Sequence, residues 1–370
     1  MAEGTLLRQV LLNFCRRAAT VRADVSAIAY TPDGHLWIGS DELTSLERLS
    51  ATGPNEYGDH QQYAVGDYID LQDTQSEIDI EGMDYADGYL WLVGSHSTKR
   101  KRVKRKADPQ KNIQRLQQVG TDANRYLLAR LPIVEGVPVK RDGVSPTEKS
   151  LTALRTAARL ESHRGQSALM AALEEDEHIG PILKIGLPSK DNGFDIEALA
   201  ARKDRLFLGL RGPVLRGMAI VIEIEVEDHK LGLLRLKKLE NNQLYRKHFV
   251  DLNGLGVRDM CFQGDDLIIL AGATMQLDSV MQVFRFKQAY DHSTDTLWTQ
   301  SSDQLVKLFD LSVQPSRENA EGITLFPQAQ TAEVGDDDSP ALMVVYDSPL
   351  EARLVGDKAM LADVLKLSKK

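Results

Sequence analysis

A strand–turn–strand pattern recurs five times along this chain of 370 residues, and this repetition constrains the fold more than any other feature. Each copy contains a short apolar run, a tight turn and a second apolar run, as in Val25–Tyr30, Asp33-Gly34 and His35–Gly39. Asp-Gly between two such runs is a strong signal for a β-hairpin. The copies align at residues 26, 81, 197, 258 and 321, so the period is about 60 residues, with one interval of double length.

Further apolar runs before and after these hairpins predict four short strands per repeat. They include residues 63–71, 126–131, 182–187, 245–252 and 306–311. A four-stranded sheet has two apolar faces, and a neighbouring sheet on each side is needed to cover both, so sheets with this period stack radially. We therefore predict an all-β fold, a β-propeller of five four-stranded blades, or six if one repeat is degenerate. It would form a single domain over residues 1–370.

The interval of double length carries two predicted insertions in the second repeat. Seven of the eight residues from Lys99 to Lys106 are basic, which predicts a solvated basic loop over residues 99–125. Residues 141–178 are predicted to be a helical insertion, because Leu154, Ala158 and Leu169 belong to a broken helical period. The basic loop follows a second strand and the helical insertion a third strand. We therefore expect them on opposite faces of the propeller.

Composition limits the class of protein. The net charge of −9 argues against a bulk nucleic-acid binder. The chain has no apolar run of the roughly 18 residues that a membrane span needs, and its start does not resemble a signal peptide. Cys15 and Cys261 each lie beside apolar residues, and we interpret both as reduced core thiols. A monomeric cytoplasmic protein is expected.

One aligned position of the repeats is polar in every copy. It holds Ser26, Glu81, Glu197, Arg258 and Glu321. The first strand of each propeller blade lines the central channel, so these five residues are predicted to ring the channel mouth, with the basic loop above them. Clustered carboxylates raise one another's pKa and need a cation or a metal to offset them. The ring is therefore either a ligand or metal site, or a set of salt bridges that brace neighbouring blades.

The ring and its neighbours supply the candidate site residues. The candidate catalytic residues are Glu81 and Glu197, with His96 as a proton donor. The candidate ligand-binding residues are Arg211, Arg258, Lys190 and Asp195. The candidate metal ligands are Glu81, Glu197, Glu321 and Asp79, and carboxylates of this kind favour Ca²⁺ or Mg²⁺. Zinc is disfavoured because the sequence has no thiol-rich or histidine-rich cluster.

Three functional hypotheses remain open at this point. The first is that the protein binds a small anionic phosphoester-like ligand and, as an extension, hydrolyses it. The second is a non-enzymatic scaffold for a protein partner, in which the carboxylates and arginines only brace the blades. The third uses the basic run to contact nucleic acid. The sequence contains no P-loop, no G-x-S-x-G elbow and no H-E-x-x-H motif that would favour a particular enzyme class.

Several segments resemble an uncharacterised bacterial family built on a domain of unknown function. They are Asp79-Ile-Glu-Gly-Met83, Gly94-Ser-His-Ser97, Lys190–Glu197, Gly209–Pro213, Val257–Asp259 and Glu321-Gly322. The repeats are also distantly similar to the esterase-like phytases, propellers with D-x-E-G-type turns. Ala198 replaces the glycine of that pattern in one repeat, and Arg258 replaces the glutamate in another. The resemblance implies a propeller and assigns no reaction.

Overall fold

The computed structural model describes residues 3–73, 76–143, 154–163, 166–275, 280–311, 318–328 and 340–367, and β-strands predominate in them. The strands of the first part are β1 (Leu6–Asn13), β2 (Val25–Tyr30), β3 (His35–Ser40), β4 (Ser45–Gly53) and β5 (Glu56–Ala64). Residues 144–153, which belong to the insertion predicted as helical, lie outside the described residues.

The second repeat contains both insertions. Its elements are β6 (Ile80–Ala86), β7 (Tyr89–Gly94), β8 (Lys99–Arg100), α1 (Pro109–Leu116), β9 (Val119–Gly120), β10 (Leu128–Val134), β11 (Val137–Pro138), β12 (Arg141–Asp142), β13 (Arg155–Thr156), β14 (Ala158–Leu160), β15 (Ser162–His163), β16 (Gln166–Ser167), α2 (Ala168–Leu173) and α3 (Gly180–Ile185). In the main sheet of this repeat, β6, β7, β10 and β14 follow one another with antiparallel pairing.

The remaining repeats occupy the rest of the chain. Their strands are β17 (Asp195–Arg202), β18 (Arg205–Gly212), β19 (Met218–Lys230), β20 (Leu233–Leu236), β21 (Arg246–Asp251), β22 (Gly256–Gln263), β23 (Asp266–Gly272), β24 (Met281–Phe286), β25 (Thr296–Trp298), β26 (Leu305–Leu311), β27 (Asn319–Phe326), β28 (Ala341–Asp347), β29 (Leu354–Val355) and β30 (Ala359–Leu365). Short 3-10 turns lie at Arg16–Ala18, Val21–Ala23, Val65–Asp67, Ala123–Tyr126, Ala289–Asp291 and Glu351–Arg353.

The first strands of the repeats lie side by side around a closed ring. In chain order they are β2, β6, β17, β22 and β27; each contacts the next, and β27 returns to β2. Each of them is an end strand of a sheet: β2 and β27 are the two ends of one sheet, β6 and β17 are the two ends of another, and β22 is an end of a third. Neighbouring first strands therefore meet through packing rather than through a shared ladder, and the fold is mostly β and propeller-like.

The register of the hairpins sets which ends share a face. Ile80 is opposite Gly94, Asp195 is opposite Gly212, and Asn319 is opposite Asp347. The start of each first strand thus lies beside the end of the second strand. Residues from both ends meet on one side of the ring, and the functional groups described below lie there.

The N-terminal strand closes the ring. β1 pairs antiparallel with β30 and runs parallel to β5, so one continuous sheet joins the first repeat to the last. Val10 and Leu12 of this strand are buried in the core that it shares with β28 and β30. The alternating burial of β1, with Val10 and Leu12 inward, is the pattern of a strand that covers a core with one face.

In the described residues of the insertion predicted as helical over residues 141–178, strands are more extensive than helix. Arg155–Thr156 and Ala158–Leu160 are strands, and helix α2 begins only at Ala168. Ala158 and Leu160 are buried because β14 is inserted between β10 and β20. Apolar residues of a short strand therefore produced the apparent helical spacing, which short runs do not distinguish.

Two other strand predictions are also wrong. Residues 180–185 form helix α3, which begins with Pro181 in its first turn and ends at Gly186 in the left-handed region. The fourth strand of the first repeat is Glu56–Ala64 rather than residues 63–71. That strand is mostly exposed and polar, so it lacks the apolar signal from which the prediction was made.

Most of the core is aliphatic and lies between the sheets in four clusters. Trp37 and Trp91 are buried, and Cys261 is buried as predicted. Cys15 is exposed and is not a core thiol. Within the described ranges, the helices are too short or too polar to cross a bilayer.

Candidate functional site

A β-bulge lies at the same place in every first strand. The hairpin ladder skips one residue between Val25 and Ala27, and it does so again in each of the other four repeats. The skipped residues are Ser26, Glu81, Glu197, Arg258 and Glu321. A bulge re-aims the side chain of its extra residue. The aligned polar position of the sequence is therefore the position that the bulge releases from the ladder.

Three of these side chains, together with residues from nearby loops, line a cavity of about 470 Å³, here called the polar cavity. Its lining carboxyl groups are Asp41, Glu42, Glu77, Asp79, Glu81, Asp195, Glu197, Glu321 and Asp347. Its lining basic groups are Lys99, Arg100, Lys101, Arg102, Arg115, Arg125, Lys190 and Arg211. Both signs of charge are present in similar number, so the cavity is polar without a single dominant charge.

Two arginines neutralise part of the ring. Glu197 accepts from Arg211 Nη1 at 2.5 Å through Oε1 and from Arg258 Nη1 at 2.9 Å through Oε2. Arg258 also forms an ion pair with Glu321. Glu197, Arg258 and Glu321 belong to β17, β22 and β27, so this chain of ion pairs connects three neighbouring first strands. The bracing role that the sequence left open is present on this side of the ring.

The two aspartates at the starts of first strands also have arginine partners. Asp195 Oδ2 lies 2.5 Å from Arg211 Nη2, and Asp79 Oδ1 lies 2.5 Å from Arg125 Nη2. Burial nevertheless raises the pKa of both carboxyl groups. Arg125 comes from the turn before β10 and is not among the site residues predicted from the sequence. No signal in the sequence distinguishes it from the other arginines of that insertion.

Glu81 has a different environment from the other glutamates of the ring. Within the described part of the chain it has no hydrogen-bond or ion-pair partner. Burial raises its pKa well above the ordinary value, and the carboxylates of Asp79 and Glu197 raise it further. Asp41 resembles it: burial and the carboxylates of Asp79 and Asp347 raise the pKa of Asp41 to about 7.

The basic segment reaches over the same cavity. β8 and β9 pair as a small hairpin whose connection contains α1, and Asp108 caps that helix through Gln110 N at 2.9 Å. Lys99 forms an ion pair with Asp122 at 2.8 Å, and Arg100 forms one with Asp191 at 2.8 Å. Lys101, Arg102 and Lys190 line the cavity without an ion-pair partner among the described residues.

The metal ligands expected from the sequence are not brought together as a set. Among the residues with described positions, no three Asp, Glu, His or Cys side chains form a group that could hold a metal ion. Three of the four expected ligands, Asp79, Glu197 and Glu321, have arginine partners instead. The geometry therefore gives no support to a Ca²⁺ or Mg²⁺ site at these residues.

His96 lies apart from the carboxylates. It lines a second cavity, on the same side of the ring, together with residues of α2 and α3. Its side chain is buried, and burial lowers its pKa to about 4. His96 is therefore neutral near pH 7 and is not the proton donor of the polar cavity. The helices also lie on the carboxylate side of the ring, since Ser97 lines both cavities, and not on the opposite face as expected.

Comparison with known proteins identifies a family. Residues 24–363 match the family model described as "Protein of unknown function (DUF3616)". This match confirms the resemblance to an uncharacterised family with a domain of unknown function. The likeness to the esterase-like phytases stays a prediction. No curated protein matches the chain.

Solved structures with overall similarity are propeller-type folds. Virginiamycin B lyase from Staphylococcus aureus is 10% identical with a TM-score of 0.37, over 97% of this chain and 99% of that one. Aldose sugar dehydrogenase from Streptomyces coelicolor is 10% identical with a TM-score of 0.37, over 99% of each chain. The six-bladed lectin of Aleuria aurantia is 8% identical with a TM-score of 0.30, over 93% of this chain and 73% of that one. Similarity at this level carries no information about the activity of this chain.

Proposed function

Because the chain belongs to the DUF3616 family, whose function is unknown, we propose a function from the geometry of the site alone. The polar cavity binds a small molecule that carries an anionic group, such as a phosphate ester, together with hydroxyl or amino groups. The cavity volume of about 470 Å³ is within the range of small-molecule sites. The molecule would be held between the basic segment and the carboxyl groups of the ring.

The scaffold that we infer for this site is a propeller of five blades with four strands each. The closed ring of β2, β6, β17, β22 and β27 supports five blades. The outermost strand is β5, β14, β21, β26 or β1 in the respective blades. In such a propeller the five bulges would lie at one end of a central channel, and the lining of one cavity by Glu81, Glu197 and Glu321 supports this arrangement.

The anionic group would bind on the side of the basic segment. Lys101, Arg102 and Lys190 line the cavity and are not used in ion pairs within the described structure. Phosphate and carboxylate oxygens accept strong charge-assisted hydrogen bonds from such groups. The ion pairs of Arg100 with Asp191 and of Lys99 with Asp122 hold this segment over the cavity.

The hydroxyl or amino groups would bind on the side of Glu81 and Asp41. Both carboxyl groups have raised pKa values caused by burial and neighbouring carboxylates. An ammonium group or several hydroxyl donors would stabilise their ionised forms. A purely anionic ligand would be repelled there, so the geometry favours a ligand with both kinds of group over a simple anion.

The observation that carries the proposal is the isolated Glu81. Salt bridges that only brace the blades would pair each ring carboxyl with a cation, whereas Glu81 is half-buried at the cavity and lacks such a pair. Glu81 is the ring glutamate for which the described residues provide no partner, and it faces the cavity. Because burial and the neighbouring carboxylates raise the pKa of Glu81, its carboxyl group is the candidate general acid that would protonate a leaving-group oxygen in phosphoester hydrolysis.

The alternative is a non-enzymatic scaffold for a protein partner. The ion pairs from Arg211 through Glu197 and Arg258 to Glu321 favour it, because they connect three first strands and need no ligand. Under this alternative, the polar cavity would remain filled with water. It predicts that no small molecule stabilises the protein.

Calorimetry with matched sugars separates the two functions. We expect glucosamine 6-phosphate, which has a phosphate, an ammonium group and hydroxyls, to bind more tightly than glucose 6-phosphate, glucosamine or inorganic phosphate. The double substitution Lys101→Gln and Arg102→Gln should weaken the binding of glucosamine 6-phosphate by at least about tenfold. Glu81→Gln should remove the preference for glucosamine 6-phosphate over glucose 6-phosphate. Release of inorganic phosphate from glucosamine 6-phosphate and from glucose 6-phosphate, measured in the same samples, tests hydrolysis.

The matched control is the double substitution Arg105→Gln and Lys106→Gln. These two residues belong to the same basic run but do not line the polar cavity. They should leave binding nearly unchanged. If none of the four compounds binds to the wild-type protein, the ligand proposal is wrong and the scaffold is favoured. Equal losses in both double variants would mean that general attraction by the loop, rather than the cavity, holds the anion.

A further inference from the structure

A second cavity of about 390 Å³ lies beside the polar cavity and has a different chemistry; it is called here the His96 cavity. One wall is the segment that follows β7, with His96 and Thr98. Another is the 3-10 turn with Tyr126, and a third is formed by Met170 of α2 and Leu183 of α3. The cavity exists because the insertion folds back onto the ring, with Ser189 N donating to Thr98 O at 2.9 Å.

The hydrogen bonds of His96 define its tautomer. Nδ1 lies 2.9 Å from the Gly94 carbonyl oxygen, which can only accept, so Nδ1 carries the proton. Nε2 then holds a lone pair. Nε2 is buried, and no group in the described structure donates to it. The backbone holds His96 at a φ of 53°, and its ring packs edge-on against Tyr126 at 5.8 Å between centroids. His96 therefore offers one unsatisfied acceptor on a side chain that lines the cavity.

The remaining walls are mostly apolar. Phe194 and Met170 are buried, and Leu183 and Tyr126 are half-buried. These side chains enclose a space in which a flat ring would remove apolar surface from water. An apolar lining with a small number of placed polar groups is typical of small-molecule sites.

The charge of the His96 cavity excludes the ligand class proposed for the polar cavity. Among the described residues its lining includes no lysine or arginine, and the carboxylate of Glu174 accepts from Gln166 Nε2 at 2.6 Å. His96 is neutral near pH 7 because burial lowers its pKa. An anion would therefore find no counter-charge here. A neutral molecule needs none, and a singly charged cation would find the carboxylate of Glu174.

We infer that the His96 cavity is a separate binding site for a small aromatic alcohol or amine. Its ring would lie between Tyr126, Met170, Leu183 and Phe194, and its O–H or N–H group would donate to His96 Nε2. This inference goes beyond the proposed function of the polar cavity and does not depend on it, because the two cavities differ in charge and in the ligand group that they recognise.

The test compares phenol with anisole, which has the same ring but no O–H group. Phenol should bind to the full-length protein at least about tenfold more tightly than anisole, the effect of one buried hydrogen bond. In protein labelled with [¹⁵N]histidine, phenol should shift the His96 Nε2 resonance and anisole should not. His96→Asn identifies that resonance and should reduce phenol binding to the level of anisole; asparagine is also tolerated at a positive φ.

Two tryptophan substitutions on helix α3 provide the steric test. Leu183→Trp places a large side chain in the His96 cavity and should abolish phenol binding. Ile185→Trp makes the same kind of change at an exposed position of α3 that does not line the cavity, and it should leave binding intact. The inference is overturned if phenol does not bind to the wild-type protein, if anisole binds equally well, or if Leu183→Trp binds phenol like the wild type. Glucosamine 6-phosphate binding should be unchanged in Leu183→Trp, so failure here is distinguishable from failure of the polar-cavity proposal.

Discussion

At the scale of single residues, five bulged positions decide what the cavity can do. Glu197 and Glu321 bind arginines, Ser26 donates to the carbonyl of Ile80, and Arg258 provides the bridging cation. Glu81 is the one of these five side chains that has no hydrogen-bond or ion-pair partner among the described residues. The same backbone feature thus presents a side chain at each of the five positions, and the residue type determines whether that side chain links neighbouring strands.

The carboxyl group of Asp41 should make stability depend on pH. Burial raises its pKa from 3.8 to about 7 in the folded state, so the folded protein holds this proton more tightly than the unfolded chain. Its ionisation therefore destabilises the fold progressively as pH rises from about 4 to about 7. Asp41→Asn mimics the protonated form and should stabilise the protein by about 1–3 kcal/mol at pH 8 and very little at pH 4. Thermal unfolding at the two pH values measures the difference.

Asp70→Asn is the control for this prediction, because Asp70 is exposed. It should change the melting temperature equally little at both pH values. A stabilisation of Asp41→Asn that is the same at pH 4 and pH 8 would show that the carboxyl group is not protonated in the folded state.

At the scale of elements, the residue after each bulge lies against the next first strand. A Cβ at Gly82 would lie 2.6 Å from Leu199 N, and one at Gly322 would lie 3.3 Å from Ile28 N. Asp259 occupies the corresponding place in β22, and its Oδ2 accepts from Ile323 N at 2.7 Å. The first strands therefore approach closely at Gly82 and Gly322, and at Asp259 a carboxyl group links β22 to β27.

Removal of the Asp259 carboxyl group should loosen this contact. Asp259→Ala would leave the amides of Met260 and Ile323 without their acceptor in a buried place. We expect a loss of about 2–4 kcal/mol in the free energy of unfolding, since each buried unsatisfied amide costs about 1–3 kcal/mol. Urea unfolding followed by tryptophan fluorescence measures it. Asp303→Ala, at an exposed turn, should change stability by less than about 0.5 kcal/mol; a similarly small effect of Asp259→Ala would contradict the link.

At the scale of the whole molecule, the two ends of the chain hold the ring closed. β1 supplies the outer strand of the last repeat beside β30, and it also runs along β5 of the first repeat. Leu12 of this strand is fully buried, whereas Leu7 of the same strand is 42% exposed. The packing of one N-terminal strand therefore stabilises the first and the last sheets together.

Leu12→Ala should destabilise the entire protein rather than the N-terminus alone. The expected loss is about 2–5 kcal/mol, as for other buried leucines replaced by alanine. Leu7→Ala removes the same atoms from the same strand at an exposed position and should cost less than about 1 kcal/mol. Urea unfolding monitored by fluorescence and by far-ultraviolet circular dichroism should give one shared transition for Leu12→Ala. Two separate transitions would show that β1 is not part of the cooperative unit.

The sequence by itself determined the repeats, the hairpins and the polar position shared by all five first strands. It could do so because period-two apolar runs and Asp-Gly turns are local signals. It missed β5, whose polar face gives no such signal, and it predicted a helix where β14 is a strand, because short apolar runs fit both periods. Only the tertiary structure decided which ring carboxylates have partners. The ion pairs join residues as far apart in the chain as Asp79 and Arg125 or Arg258 and Glu321. Such pairings depend on how sheets pack around the ring, and no spacing along the chain encodes them.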